Sequence, residues 1–150
     1  MTGVQTCALP ICPEQHAAKI KAVRDAAQKL GVHLFINART DPFLLKFGSP
    51  DECLNEAAKR AKAYADAGAD GIFIPGLTDL ALIEKFALLA PLPVNIMVTH
   101  GVPEIRDLAR VGVRRVSLGP WPMMAAMRVI EQAAAAVAAS NQYGTFLQPS

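Results

Sequence analysis

Arg39 and Asp41 stand two residues apart at the end of a mostly apolar run, Val32-His33-Leu34-Phe35-Ile36-Asn37-Ala38. A guanidinium is a permanent cation whose fork of donors matches a carboxylate or a phosphonate. Asp41 is near enough in sequence to orient that fork or to cap the next segment, and Asn37 adds a polar group two residues earlier. Asn95 lies inside another apolar run, Pro93 to Val98. A buried amide there must find a partner, either a substrate oxygen or a neighbouring strand. His100 follows in a loop, where an imidazole could act as acid or base. Ser117 ends a further run, with Gly119 just beyond it. A small hydroxyl and a bare backbone suit an anion contact at a strand-to-helix turn.

Other candidates carry less. His16 falls on a charged helix face and His33 at the start of a strand. Cys53 lies on a helix with no nearby histidine, so a buried thiol is expected. The sequence contains no metal-ligand cluster, GxSxG or CxxC pattern.

The elements that must position these residues alternate between helix and strand. A helix is predicted over Glu14 to Leu30, with Pro13 in its first turn, an apolar stripe at Ile20, Val23, Ala27 and Leu30, and Gly31 as its stop. Ser49, Pro50 and Glu52 form a helix-start signature, N-cap, N1 proline and capping box, for a helix reaching about Ala67. Strands are expected over 32–38, 70–75, 93–98 and 114–118. Further helices are expected over 80–89, capped by Thr78, over 103–111 and over 123–139. Met123, Met127, Ile130, Ala134 and Val137 form a stripe on the last helix, suited to core or to a partner helix.

Strands separated by whole helices run parallel with right-handed crossovers, and near-continuous apolar strands have both faces buried. The sequence therefore predicts an α/β chain with a leading helix plus four parallel βα units. This pattern alone suits either an open doubly wound sheet or part of a barrel. No glycine-rich dinucleotide fingerprint follows any strand, which weakens the nucleotide-binding version of the open sheet. Both architectures place ligands at the carboxyl ends of the strands, where the candidates above stand.

Composition sets further bounds. The chain has 150 residues, 52% hydrophobic and 19% charged, with net charge +2 and no basic run, so no nucleic-acid partner is expected. No apolar run reaches the roughly 18 residues of a membrane span. Three cysteines without paired spacing suit a reducing cytoplasm. Residues 1–12, MTGVQTCALPIC, carry no charge and no helical or strand period. They resemble the translation of a sequencing-adapter DNA with Cys12 as the junction residue. A non-native tail over 1–12 is therefore expected, with native sequence from about Pro13 and a patternless tail over 140–150.

Taken together, four segments resemble the isocitrate lyase / phosphoenolpyruvate mutase superfamily. They are Ile36-Asn37-Ala38-Arg39-Thr40-Asp41, Ala67 to Leu77, Pro93-Val94-Asn95-Ile96-Met97, and Gly112 to Pro120. Their order and spacing match the family over about Pro13 to Ala139. The resemblance implies a partial TIM (β/α)8 barrel, the C-terminal half of a domain that needs about 250 residues when complete. It implies a parent enzyme that cleaves or rearranges C–C or P–C bonds in small oxo- or hydroxy-acids through an enolate-like intermediate held on Mg²⁺. Arg39 would then be the catalytic and substrate-binding arginine. Asn95, Ser117 and Gly119 would contact substrate, with Asn37, Asp41 and His100 behind them.

The resemblance also implies a parent homo-oligomer, because family members exchange the last helix between subunits. Two departures stand out. Many lyases of the family carry a Glu where Pro75-Gly76 stands, so the mutase-like branch fits better. The family's metal-binding Asp cluster belongs to the earlier half of the barrel and has no match here, so the chain alone is expected to lack activity. Two alternatives remain open: a small anion-binding α/β module without catalysis, and a half-barrel that assembles with another copy.

Overall fold

The computed structural model describes residues 12–140, 143 and 144. The chain divides into two units, Met1–Ser117 and Leu118–Ser150. Apart from Cys12, the expected non-native segment 1–12 lies outside the described residues, as does most of 140–150.

The first unit opens with helix α1, Pro13–Lys29, with proline at its start as expected. Ile20 and Ala27 of its stripe are buried, whereas Val23 is half-exposed and Leu30 lies past the helix end in solvent. Strand β1 is Asn37–Arg39, later and shorter than the run predicted over 32–38. Val32, Leu34 and Phe35 are exposed, and that stretch is held by side chains instead of a ladder. Arg24 Nη1 donates to the Leu34 carbonyl at 2.8 Å, and the Ile36 N–H donates to the Asp70 carboxylate at 2.7 Å.

Helix α2, Pro50–Asp66, begins with the predicted capping box. Ser49 Oγ accepts from the Glu52 N–H at 3.3 Å, and the Glu52 carboxylate accepts from the Ser49 N–H at 2.7 Å. Strand β2 is Gly71–Phe73 and helix α3 is Leu80–Leu89. Asp79, not Thr78, caps α3, because its carboxylate sits where it accepts the Leu82 N–H at 2.9 Å. Strand β3 is Val94–Met97, helix α4 the short Ile105–Arg110, and strand β4 Arg115–Ser117.

The four strands form one parallel sheet in the order β1-β2-β3-β4, leaving β1 and β4 as edges. Helices α1 to α4 pack against one face of it. That face is built from even-numbered strand residues: Ala38, Ile72, Ile74, Val94 and Ile96 are buried in one cluster with Ile20, Leu54, Ala57, Tyr64, Ile83, Phe86 and Leu108. Each buried valine, leucine, isoleucine or phenylalanine among them contributes roughly 1.5–3 kcal/mol by leaving water. Side chains alternate along a strand, so the odd-numbered residues turn to the opposite face.

The second unit, considered by itself, holds helix α5, Trp121–Ser140, which starts two residues earlier than predicted. None of its residues is buried, so Met123, Met127 and Ile130 stand in solvent rather than in a core.

Candidate functional site

Strand register fixes which residues share the odd face. Asn37 is paired with Gly71, Arg39 with Phe73, Phe73 with Asn95, Asn95 with Arg115, and Met97 with Ser117. One row across the sheet therefore reads Arg39, Phe73, Asn95, Arg115. Neighbouring parallel strands lie about 4.8 Å apart, which puts the Arg39 and Asn95 backbones roughly 10 Å from each other.

Arg39 is braced from behind. Its Nε donates to Asp41 Oδ1 at 2.6 Å, and both side chains are about three-quarters shielded from solvent. Among the described residues its Nη groups make no hydrogen bond, so the open end of the fork remains available to an oxyanion. Asp41 in turn starts a tight turn. Its carbonyl accepts the Leu45 N–H at 3.0 Å, and Pro42 O accepts the Phe47 N–H at 3.0 Å. The end of β2 presses on this turn: Gly76 has φ 86°, and a Cβ there would stand 2.8 Å from the Leu44 nitrogen. No residue with a side chain fits at that point, which is the physical content of Gly76 after Pro75.

Asn95 is 1% exposed and its partner is Ser117, with Nδ2 to Oγ at 3.0 Å and Oγ to Oδ1 at 3.2 Å. The two alternatives for a buried amide thus meet at one position. Asn95 bonds a neighbouring strand, and it keeps an N–H and an acceptor lone pair beyond that bond. Asn37 lies on the same face as Arg39, one pleat earlier, with its Oδ1 over Gly71. His100 is exposed in the turn after β3. Gly119 lies in the second unit, where its φ is 58°.

The sheet unit therefore gathers Arg39, Asp41, Asn37, Asn95 and Ser117. It also brings in residues that the sequence reading passed over. Phe73 sits between Arg39 and Asn95 in the row, and Arg115 sits beside Asn95. Period-two alternation and strand register together would have found both. Thr40 is buried with its Oγ1 unpartnered, on the even face away from this row. His16, expected on a charged surface, instead packs edge-on against Tyr64 with ring centroids 4.8 Å apart. Burial lowers its pKa below 6.5, assisted by the nearby Lys19 and Arg60 cations. Cys53 is buried, as expected of a structural thiol.

A parallel sheet with polar side chains on one face and helices on the other has counterparts among known proteins. The phosphoenolpyruvate phosphomutase family model matches residues 5–138. The chain belongs to the phosphoenolpyruvate phosphomutase family. An oxaloacetate decarboxylase of Pseudomonas aeruginosa PAO1 is 36% identical over 121 residues, covering 79% of this chain and 39% of that protein. A solved structure from Burkholderia cenocepacia J2315, described as a phosphonomutase, is 40% identical with TM-score 0.76, covering 87% of this chain and 52% of the other. A 2,3-dimethylmalate lyase structure, 21% identical, shares the fold with TM-score 0.77 over 89% of this chain and 47% of its own.

The fold is thus a partial TIM barrel of the phosphoenolpyruvate mutase/isocitrate lyase superfamily, and the chain spans about half the length of the curated relatives it matches. The odd face corresponds to the interior of such a barrel, and the even face to its helix-covered wall. For the described residues, no helix is long and apolar enough to cross a membrane.

Proposed function

We propose that this chain supplies the anion-clamping face of a lyase or mutase acting on small oxo- or hydroxy-acids by cleavage or rearrangement of a C–C or P–C bond. The observation that carries the reading is the row on the odd face: Arg39 with its free Nη donors, held by Asp41, on the same surface as the Asn95–Ser117 pair. Arg39 binds the carboxylate or phosphonate, and as a fixed cation it stabilises an oxyanion that gains charge during reaction. Asn95 and Ser117 orient the distal end of the same ligand, with Asn37 and His100 as supporting groups. The oxaloacetate decarboxylase and phosphonomutase relatives favour a small oxo-acid anion.

Magnesium is the cofactor expected of the parent enzyme. Among the described residues no group of three or more His, Cys, Asp or Glu side chains could hold a metal ion, and the carboxylate beside the clamp, Asp41, is engaged by Arg39. The residues present do not fit Mg²⁺, so this chain's own contribution is recognition and orientation. The parent is proposed to be a cytoplasmic homo-oligomer, and the chain alone to bind without turnover.

Titration of the isotope-labelled chain with oxaloacetate tests this. Resonances of Arg39, Asn95 and Ser117 are expected to shift together, and Arg39→Gln to abolish the effect. Shifts that survive Arg39→Gln would overturn the assignment, as would turnover of oxaloacetate with Mg²⁺ well above background for the claim of inactivity.

A further inference from the structure

Behind the clamp, α1 and α2 meet over a set of ionisable side chains that the ligand row does not use. α1 runs back against β1, so its first turn stands at the carboxyl end of that strand, where Asp41 lies. His16 of that turn packs edge-on against Tyr64 of α2, with ring centroids 4.8 Å apart, and Tyr64 is 1% exposed. One turn back along α2, Arg60 hydrogen-bonds the Tyr64 hydroxyl, and its Nε donates to Glu56 Oε1 at 2.6 Å.

The charges facing His16 come from three elements. Lys19 on its own helix and Arg60 on α2 oppose an imidazolium, as does burial, whereas Asp41 after β1 favours one. Glu14 and Glu56 act on the Arg60 side of the cluster. Asp41 is thus under two claims. Arg39 holds its carboxylate at 2.6 Å and offsets much of the charge that the imidazole would otherwise meet. An anion on the Nη groups of Arg39 offsets the guanidinium in turn. Asp41 and that anion together then turn a net negative charge toward His16.

We propose that His16 is a positioning residue of the clamp: it and Arg39 draw on the same carboxylate, Asp41, so that an anion held by Arg39 brings a proton onto the imidazole. This rests on the reading of Arg39 as an anion clamp. By linkage, protonated His16 strengthens anion binding by the same factor. His16 acts through Asp41 and needs no contact with the ligand.

Titration of the histidines of the full chain, followed by NMR, tests this in two arms. Without ligand, Asp41→Asn is expected to lower the His16 pKa and Arg39→Gln to raise it, each by about 0.5. His33, beyond the other end of β1, is expected to stay where it is. With saturating oxaloacetate, His16 of the unsubstituted chain is expected to rise by about 0.5, which makes binding about threefold tighter once the imidazole is protonated. His16→Phe keeps a ring against Tyr64 and is expected to flatten that pH dependence. A His16 pKa that ignores both substitutions, or moves only in step with His33, would overturn the proposal whether or not oxaloacetate binds. So would oxaloacetate that binds and leaves His16 unmoved, or a pH dependence that persists in His16→Phe. Oxaloacetate that fails to bind while both substitutions still move His16 would uphold the shared carboxylate and remove the anion-clamp reading of Arg39 instead.

Discussion

Asn95 and Ser117 hydrogen-bond to each other across β3 and β4, and through that bond a fully buried amide is tied to an edge strand. The pair is at once a joint of the sheet and the polar centre of the odd face. Ser117→Ala removes the partner and leaves the amide short of a bond, at a cost of about 1–3 kcal/mol. Ser117→Thr keeps the hydroxyl and is expected to lose less. Urea unfolding of both variants measures this, and equal losses would show that the hydroxyl is not the source.

Arg39 and Asp41 are expected to act as one unit in ligand binding. Arg39→Lys replaces a fork by a point charge and should weaken oxaloacetate roughly tenfold, about 1.4 kcal/mol. Asp41→Asn keeps the shape but loses the charged brace, and should weaken binding in the same direction by less. Calorimetric titration checks both, and an Asp41→Asn chain that binds as tightly as the parent chain would remove Asp41 from the clamp.

Two glycines with similar backbone angles are expected to differ sharply. Gly76 and Gly101 have φ 86° and 83°, but a Cβ on Gly101 would meet nothing within 4 Å. Gly101→Ala therefore bears only the left-handed strain, about 1 kcal/mol. Gly76→Ala adds a clash with the Leu44 backbone and should cost about 3 kcal/mol or more. It should also displace the turn that begins at Asp41, which ligand titration of the variant would show as weakened binding.

At the opposite end of the strands, Asp70 joins three elements. It accepts the Ile36 N–H and binds Arg24, which also donates to Gly68 O at 3.0 Å. The Ile36 hydrogen bond, helped by Arg24, holds its carboxyl below the usual aspartate range. A carboxyl whose pKa is lowered on folding stabilises the fold above its unfolded pKa, and that contribution is lost as pH falls through the folded value. Asp70→Asn should therefore be less stable than the parent chain at neutral pH, with the gap closing as pH falls below about 4. A gap that stays constant into acid would rule this out.

His16 gives the chain a second acid limb. Burial against Tyr64 lowers its imidazole pKa, so folding favours the unprotonated form. That stability is complete above 6.5 and is lost as pH falls toward the lowered folded value. His16→Phe keeps an aromatic ring against Tyr64 and should remove the loss. Thermal melts of the two chains in mildly acidic buffers compare them directly.

The sequence made the element order and the parallel topology legible because the signals were local. Ser49, Pro50 and Glu52 announced the start of α2, and the Gly-to-strand junctions marked each unit. The position of Arg39 was legible because it directly follows an apolar run of strand length, and the structure sets it at the end of β1, paired with Asp41. Register was not legible, since it depends on which strand lies beside which. Phe73 and Arg115 therefore joined the row only once β1 to β4 were paired. The late start of β1 was hidden for the same reason: Val32 to Phe35 have strand composition, but the chain there is held by Arg24 and Asp70 rather than by a neighbouring strand.

The alternation of the sheet carries a consequence for how this protein can change. Along β1, β2 and β3 the even positions bear the helix-side packing and the odd positions line the opposite face, so adjacent residues answer to different demands. A deep mutational scan read along β1, β2 and β3 should show a two-residue beat. Positions 38, 72, 74, 94 and 96 would accept only similar aliphatic volumes whatever ligand is supplied, while 37, 39, 73 and 97 would change with the ligand used for selection. New specificities could then be sought on one set of positions without reopening the other.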